Sequence, residues 1–496
     1  MELVAGAGLL FLLCVVFPLC FISFQMHKRQ SQLPPGPTPW LFLGNVFQKG
    51  VFPLHGCYKK LMKKYGPIFT IWVGPQPMLV LCGYEMVKDA LVDHSEEFGG
   101  RPLIPINYRI HKSLGKQGIN NRKWREHRRF LLSTLRDFGM GKKTMSERVQ
   151  KEALCLVQEI ATTQGKAFDP TNTVFSAVSN VICAVVFGTR FDYKDPVFQE
   201  NLHVIDNFIN FFHTYCALIY NTFPKIMDYL PGPHKKLLSG CAKVFARFHE
   251  RVEAHKQTLD PQDPQDYIDC YLIKLKKEQN VEENIFSSEE IIASVFGIFA
   301  AGTGTVSKTL LYSLFLMAKF PHIQAKVQAE IDEVLGANCA PGMEDRVRMP
   351  FTNAVVHEIQ RYESTSLESV PRQTTCRTVF RDFTIPQYTT VMPLLSSVHL
   401  DPLQWETPEE FNPGHFLDEK GEFRKRDAFM PFSIGKRQCP GEALARMELF
   451  LFFSTLLQNF TFQLATDDAE RDARSLFQKY KARDLYPHIR AIKRSK

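Results

Sequence analysis

From Ser287 to Phe320 the chain reads as one helix, and its middle, "SVFGIFAAGTGTVSKTLL" (294 to 311), is apolar nearly all round. A helix without a polar face has to be enclosed on every side. About 33 residues at 1.5 Å each make a rod of roughly 50 Å, long enough to cross a whole domain. The fold this demands is large and mainly helical, built around the rod. Ser287 and Glu290 have the spacing of a capping box at its start, and Pro321 opens the next element. Ala301-Gly302-Thr303-Gly304-Thr305 are poor helix formers gathered at the enclosed centre. Two readings stand for them: close packing of a neighbouring helix, or room and hydroxyls for something lying against the rod.

Strand signals are short and confined mainly to 66–82 and 378–392, where β-branched and aromatic residues alternate with turn formers. The expected fold class is therefore mainly α with a small β-sheet region. Leu3 to Phe24 carries no charge, about the ~20 residues that cross a bilayer core. His27, Lys28 and Arg29 follow at once, which keeps the downstream chain in the cytosol. The apolar run exceeds a signal-peptide core and lacks a small-x-small cleavage site, favouring a retained anchor. "LPPGPTPW" (33–40) cannot continue a helix and reads as a stiff spacer. The expected organisation is an anchor at 1–26, a basic and proline-rich hinge at 27–40, and a catalytic body at 41–496. Sixty basic against 52 acidic residues leave +8, a mild excess that suits a membrane face or an acidic protein and is too diffuse for nucleic acid. Twelve cysteines without a CxxC pair argue against a disulfide framework or zinc ribbon.

One cysteine stands apart. In "FSIGKRQCPGEALARMELFLFF" (432–453) it follows Phe432, Gly435 and Arg437 and precedes Pro440, Gly441 and an apolar helix. For an isolated cysteine, a buried thiol at a loop-to-helix junction is the ordinary interpretation. As a haem ligand each neighbour would have a task. Gly435 would let backbone approach a flat macrocycle, Arg437 would pair with a propionate, Pro440 would start the helix, and N–H groups would hold charge on the Cys439 sulfur.

The Phe-x-x-Gly-x-Arg-x-Cys-x-Gly pattern resembles the signature of the cytochrome P-450 family, the haem-thiolate monooxygenases, and the resemblance extends over nearly the whole chain. "DPQDPQDYIDCYL", "STLRDFGMGKK" and "ARMELFLFF" are similar to the animal microsomal family 2 type. The resemblance implies a cytochrome P-450 fold preceded by one N-terminal transmembrane helix. It implies haem b (iron protoporphyrin IX) held by Cys439 as the axial thiolate, with Phe432, Gly435, Arg437 and Gly441 around it. Arg101, Trp124, Arg128 and Arg372 match propionate contacts of relatives. Glu358 and Arg361 match a buried structural pair that "FNPGHF" (411–416) completes, with His415 where many members have Arg. Ala301, Gly302 and Thr305 match the A-G-x-[D/E]-T motif, whose hydroxyl steadies the water that protonates iron-bound dioxygen. Gly304 stands where relatives usually carry an acid, so Thr303 and Thr305 are expected to anchor the water together. Two further departures are 119–123, which shortens one pocket wall, and the basic tail after Phe477.

By the same resemblance Phe296, Ala301 and Val370 line a substrate pocket beside 102–118 and 203–230. The aromatic run at 203–230 also reads as ordinary core or a membrane-dipping surface. The implied reaction inserts one atom of dioxygen into a lipophilic small molecule such as a fatty acid, steroid or foreign compound. Electrons come from NADPH through NADPH-cytochrome P-450 reductase, with cytochrome b5 as a further donor, at the endoplasmic reticulum membrane. Arg122, Lys123, Arg125, Arg129, Lys142, Lys143 and Lys436 are candidates for the docking face, or are merely solvated. Alternatives are a peroxide-dependent or isomerising haem-thiolate enzyme and a non-catalytic haem-binding sensor or lipophile carrier.

Overall fold

A computed structural model describes residues 28–496 except 112–121, 279–284, 337–338, 364–369, 466–472, 474, 477–485 and 496. The anchor expected at 1–26 and the altered stretch 119–121 lie outside the described residues. The helices that position the site are α1 (Pro105–His111), α2 (Arg122–Asp137), α3 (Lys143–Ala161), α4 (Thr171–Val186) and α5 (Pro196–Phe211). They continue with α6 (Pro233–Thr258), α7 (Ser288–Lys319), α8 (Pro321–Leu335), α9 (Pro350–Tyr362) and α10 (Glu442–Asn459).

The rod α7 is the axis of the fold. It is 32 residues long and lies against α4, α10, α6 and α9, inside the largest apolar cluster of the chain. By length and composition it would cross a membrane, but its neighbours enclose it. Its start differs from the expected capping box. Ser287 is the N-cap, yet its side chain makes no cap bond. The Glu290 carboxylate turns instead to Lys123 and to His127 Nε2 at 3.5 Å, both on α2. A tertiary ion pair with Lys123, together with the His127 ring, outcompetes one local N–H.

The sheet is small, as the sequence indicates. Strands β1 (Ile68–Val73), β2 (Gln76–Leu81), β3 (Arg372–Gln373) and, beyond the hairpin β4 (Thr378–Phe380) and β5 (Phe383–Ile385), β6 (Thr390–Pro393) build two of its units. The larger has the order β1-β2-β6-β3, with β2 and β6 parallel (Met78 opposite Thr390) and the other pairs antiparallel. A further hairpin, β7 (Phe460–Leu464) with β8 (Ile489–Lys493), was not anticipated. The proline-rich segment lies along β1, with Thr70 N–H donating to the Pro35 carbonyl at 3.0 Å. A Cβ at Gly36 would overlap the Thr70 carbonyl, so the close approach requires glycine.

Candidate active site

The loop before α10 closes on itself. Cys439 N–H donates to the Phe432 carbonyl at 3.0 Å, and Gln438 N–H to that of Gly435 at 3.0 Å. Gly435 adopts φ +75°, and a Cβ there would overlap the carbonyl of Leu91 in the π-helical turn Asp89–Asp93. Backbone packing against this turn therefore requires the glycine by itself. Pro440 precedes the N-cap Gly441 instead of starting the helix. The Cys439 thiol is exposed to open space at the end of α10, although protein surrounds it. Burial pushes the thiol up, while the Gly441 N–H and the positive charge of Arg128 pull it back.

Around the thiol the chain gathers positive charge. Arg128 Nη2 donates to the Gln438 carbonyl at 2.6 Å, tying α2 to the loop. Arg437 Nε donates to the Gly99 carbonyl at 2.8 Å, and its guanidinium lies 3.4 Å from the centre of the Trp124 ring. Arg101 Nη1 donates to the Val370 and Pro371 carbonyls at 2.6 and 2.8 Å, and Arg372 Nη2 to Ser433 Oγ at 3.0 Å. Every partner is neutral. Among the described residues none of these four guanidiniums has a carboxylate within 4 Å, and Arg372 Nε and Arg437 Nη2 are buried without any partner. Burial and the neighbouring arginines push the Arg101, Arg372 and Arg437 guanidiniums down, Arg372 furthest. A guanidinium does not give up its proton, so anions relieve the repulsion. Two carboxylates on the rim of a flat ligand, held over a thiol, fit this donor set; a zinc ion or disulfide partner does not.

On α7 the small residues divide between an open and a packed face. Ala301 and Thr305, one turn apart, are exposed, and Thr305 Oγ1 donates back to the Ala301 carbonyl at 2.9 Å. Thr303 is fully buried, with its hydroxyl 2.9 Å from that of Ser179 on α4. It faces away from Thr305 and bonds to α4 instead, so the two hydroxyls are not placed to act together as expected. Residues two apart on an α-helix point about 200° apart. The glycines resolve the two readings of this segment. A Cβ on Gly302 would press on Ile182 of α4, and one on Gly304 would overlap the Ile209 side chain of α5. Helix packing therefore accounts for both, while Ala301 and Thr305 keep the open face. Phe296 is likewise not open to a pocket. It is 1% exposed, in edge and tilted contact with His111, Phe208 and Phe245. Val370 is exposed. His111, which the sequence reading missed, brings an imidazole into this aromatic cluster, and burial pushes it down to about 4.

The predicted structural pair is joined by an unusually complete set of bonds. Arg361 Nε and Nη2 donate to the two Glu358 oxygens at 2.7 and 2.6 Å, and both residues are fully buried. The remaining Arg361 hydrogens reach the carbonyls of His399, Pro408 and Glu410 at 2.7–2.8 Å. Asn412 N–H donates to Glu358 at 2.8 Å. Thr407 N–H donates to His415 Nε2 at 3.2 Å, which leaves the His415 proton on Nδ1, 3.2 Å from Glu358. His415 thus completes the network from the "FNPGHF" loop. In the basic set suggested for docking, Lys123 is committed to Glu290 and Lys436 to Glu96. Arg125, Lys142 and Lys143 are exposed, Lys143 reaching only to Glu147 at 4.0 Å.

The cytochrome P450 family model matches residues 34–482. The chain belongs to that family. Relatives include cytochrome P450 2C14 of Oryctolagus cuniculus, 46% identical over 92% of this chain and 94% of that protein. Cytochrome P450 2C8 of Homo sapiens is 46% identical over 92% of this chain and 93% of its own length. Cytochrome P450 2C11 of Rattus norvegicus is 46% identical, with 93% of each chain covered. As a cytochrome P450 the chain is a haem-dependent monooxygenase.

Proposed function

We propose that the chain oxidises lipophilic small molecules, fatty acids, steroids or foreign compounds, at the endoplasmic reticulum membrane. NADPH-cytochrome P-450 reductase supplies the electrons, with cytochrome b5 as a second donor. The observation that carries this reading is the open thiol ringed by four arginines that lack counter-anions. Cys439 would hold the iron of haem, and Arg101, Arg128, Arg372 and Arg437 its propionates, with Trp124 stacked on Arg437. When bound, thiolate-ligated haem supplies the activation of dioxygen.

The remaining work belongs to the chain. The Gly441 N–H and the Arg128 charge favour negative charge on sulfur. The exposed Thr305 hydroxyl, turned to the Ala301 carbonyl, would hold a water on α7. Glu358, Arg361 and His415 fix the segment 399–415, and His399 Nε2 in turn accepts the Met430 N–H at 3.1 Å just before the thiol loop. Arg125, Lys142 and Lys143 offer exposed charge to an acidic reductase.

The reduced carbon-monoxide difference spectrum tests the reading. The native protein is expected to show the red-shifted Soret band of thiolate-ligated haem, and Cys439→Ser to lose it. An unchanged spectrum and turnover in Cys439→Ser would overturn the assignment. Comparing NADPH-driven turnover with reductase against peroxide-driven turnover separates the monooxygenase from a peroxide-dependent enzyme.

A further inference from the structure

Three ionisable side chains meet at the end of α6, away from the thiol and the α7 groove. His255 lies in the last turn of α6, and a short loop carries the chain on to the helix Tyr267–Lys277, whose N-cap is Asp266. His255 Nδ1 is 2.8 Å from the Arg251 carbonyl, and its Nε2 is 2.7 Å from Asp266 Oδ2. A carbonyl and a carboxylate only accept, so both ring nitrogens have to carry a proton for both bonds to form. The imidazole is then a cation. Loss of either proton turns one of the two bonds into a contact between lone pairs.

The surroundings call for that charge. Asp266 and Asp269 are 2% and 7% exposed. Asp266 Oδ1 accepts the Asp269 N–H at 3.0 Å, and Asp269 Oδ2 accepts the Gln265 N–H at 3.0 Å. Among the described residues no lysine or arginine lies within 4 Å of either carboxylate, which leaves His255 as their cation. The next groups outward are Cys270 on the same helix and Asp137 at the end of α2, neither of them positive. From α7 the facing group is Ser294, bonded to Tyr267, and beside α4 stands Gly188, where a Cβ would come within 3.1 Å of Asp266 Oδ2. On α6 itself the Arg251 guanidinium lies over the Phe191 ring, and Lys256 pairs with Glu253. The bond to Asp266 pushes the imidazole up, against burial, which pulls it down. Burial, and after it the charge of Asp266, pushes the Asp269 carboxyl up. A transition metal is the other cation such a set attracts. Two ligand atoms of one tetrahedral ion stand about 3.3 Å apart, whereas 2.7 Å between Nε2 and Oδ2 is a hydrogen-bond distance, so the geometry favours the proton.

We propose that His255 is a proton-operated latch. Protonated, it ties the end of α6 to the cap of the helix Tyr267–Lys277; as the proton leaves, the loop 259–265 and the first turn of that helix come free. The helix it secures carries Phe245 against Phe296 of α7, and its Leu238, Cys241 and Ala242 line, with α1, a cavity of ≈ 590 Å³. The folded chain binds this proton more tightly than the unfolded chain does. The latch therefore contributes fully below about pH 6.5 and is lost as pH rises through its folded value.

Hydrogen exchange of the holoprotein, read by mass spectrometry and corrected for the intrinsic effect of pH, is the test. Protection across 259–271 is expected to fall about 3- to 10-fold from pH 6.5 to 8.5, while protection in α3 holds. His255→Gln is expected to be weakly protected at both pH values, and His255→Lys, a cation throughout, to stay protected at 8.5. Native protection that does not change with pH would overturn the latch. So would a native pH response that persists in His255→Gln or in His255→Lys. A chelator that lowers native protection at pH 6.5 would show a metal ion in place of the proton and would overturn it too. Should His255→Gln fail to fold, the native protein and His255→Lys decide the question.

Discussion

Two buried arginine sites, both reached from the sequence by motif, have opposite electrostatic designs. At Glu358–Arg361 the charges cancel within the chain: one carboxylate meets one guanidinium, and carbonyls, an N–H and His415 take up what remains. Around Cys439 four guanidiniums converge on neutral partners, and two of their nitrogens have none. The first is a closed joint that holds the fold. The second leaves its positive charge without a counter-anion among the described residues, which is what the proposed cofactor site requires and a structural joint does not.

The largest effect is expected from breaking the closed joint. Arg361→Ala leaves Glu358 buried and unpaired, a loss of about 3–5 kcal/mol, seen as little or no folded holoprotein on expression. Arg361→Lys is expected to fail similarly, because an ammonium cannot form the fork or reach the three carbonyls. At the open site the same kind of change has a split outcome. Arg437→Gln removes a charge-assisted bond worth about 1.5–3 kcal/mol, so haem loss to an apo-myoglobin acceptor is expected to be about 10- to 100-fold faster. The unfolding midpoint of the apoprotein, relieved of repulsion, is expected to hold or rise. A fall in both would erase the distinction between the sites.

Acid sharpens the comparison on the closed side. His399, whose carbonyl serves Arg361, is pushed down to about 3 by burial and by that arginine, and His357 lies equally low. His111 stands at about 4. The unfolded chain therefore binds more protons than the folded one between about pH 6.5 and 4. Stability is fully present above 6.5 and is lost as pH falls through that window, by up to about 1.4 kcal/mol per pH unit for each histidine. Denaturant midpoints at pH 7.5 and 5.5 check this, and His399→Gln is expected to flatten the difference. The smallest effect concerns space rather than charge. Gly304→Ala is expected to cost about 1 kcal/mol by overpacking against Ile209, and Ile209→Ala to relieve it. Gly304→Glu combined with Ile209→Ala then asks, through product formed per NADPH consumed, whether an acid beside Thr305 improves coupling.

What the sequence made legible was what one segment decides by itself. The rod at 287–320, the strand-rich stretches and the thiol loop depend on local composition and spacing, and they stand within a residue or two of where they were expected. What it missed depends on partners remote in the chain. At Gly304 packing and open room stayed equal readings because nothing near it announces that Ile209 from α5 occupies the space. Glu290 looked like a cap because Lys123 lies far away in sequence. Thr303 was a different kind of miss, since helical geometry alone separates it from Thr305. Strand β8, "IRAIK", carries a partial alternation that marks an outer strand, but its pairing with β7 comes from the tertiary fold.

The seat of Gly435 on the Leu91 carbonyl has a consequence for biogenesis. The ligand loop and the turn that supports it are more than three hundred residues apart, as are Arg437 and Gly99. On a ribosome the early half waits, with its cationic ring unfinished, until nearly the whole polypeptide has emerged. If Cys439 holds the iron as proposed, its capture is confined to the last act of synthesis, and a chain truncated before residue 432 is expected to retain no pigment.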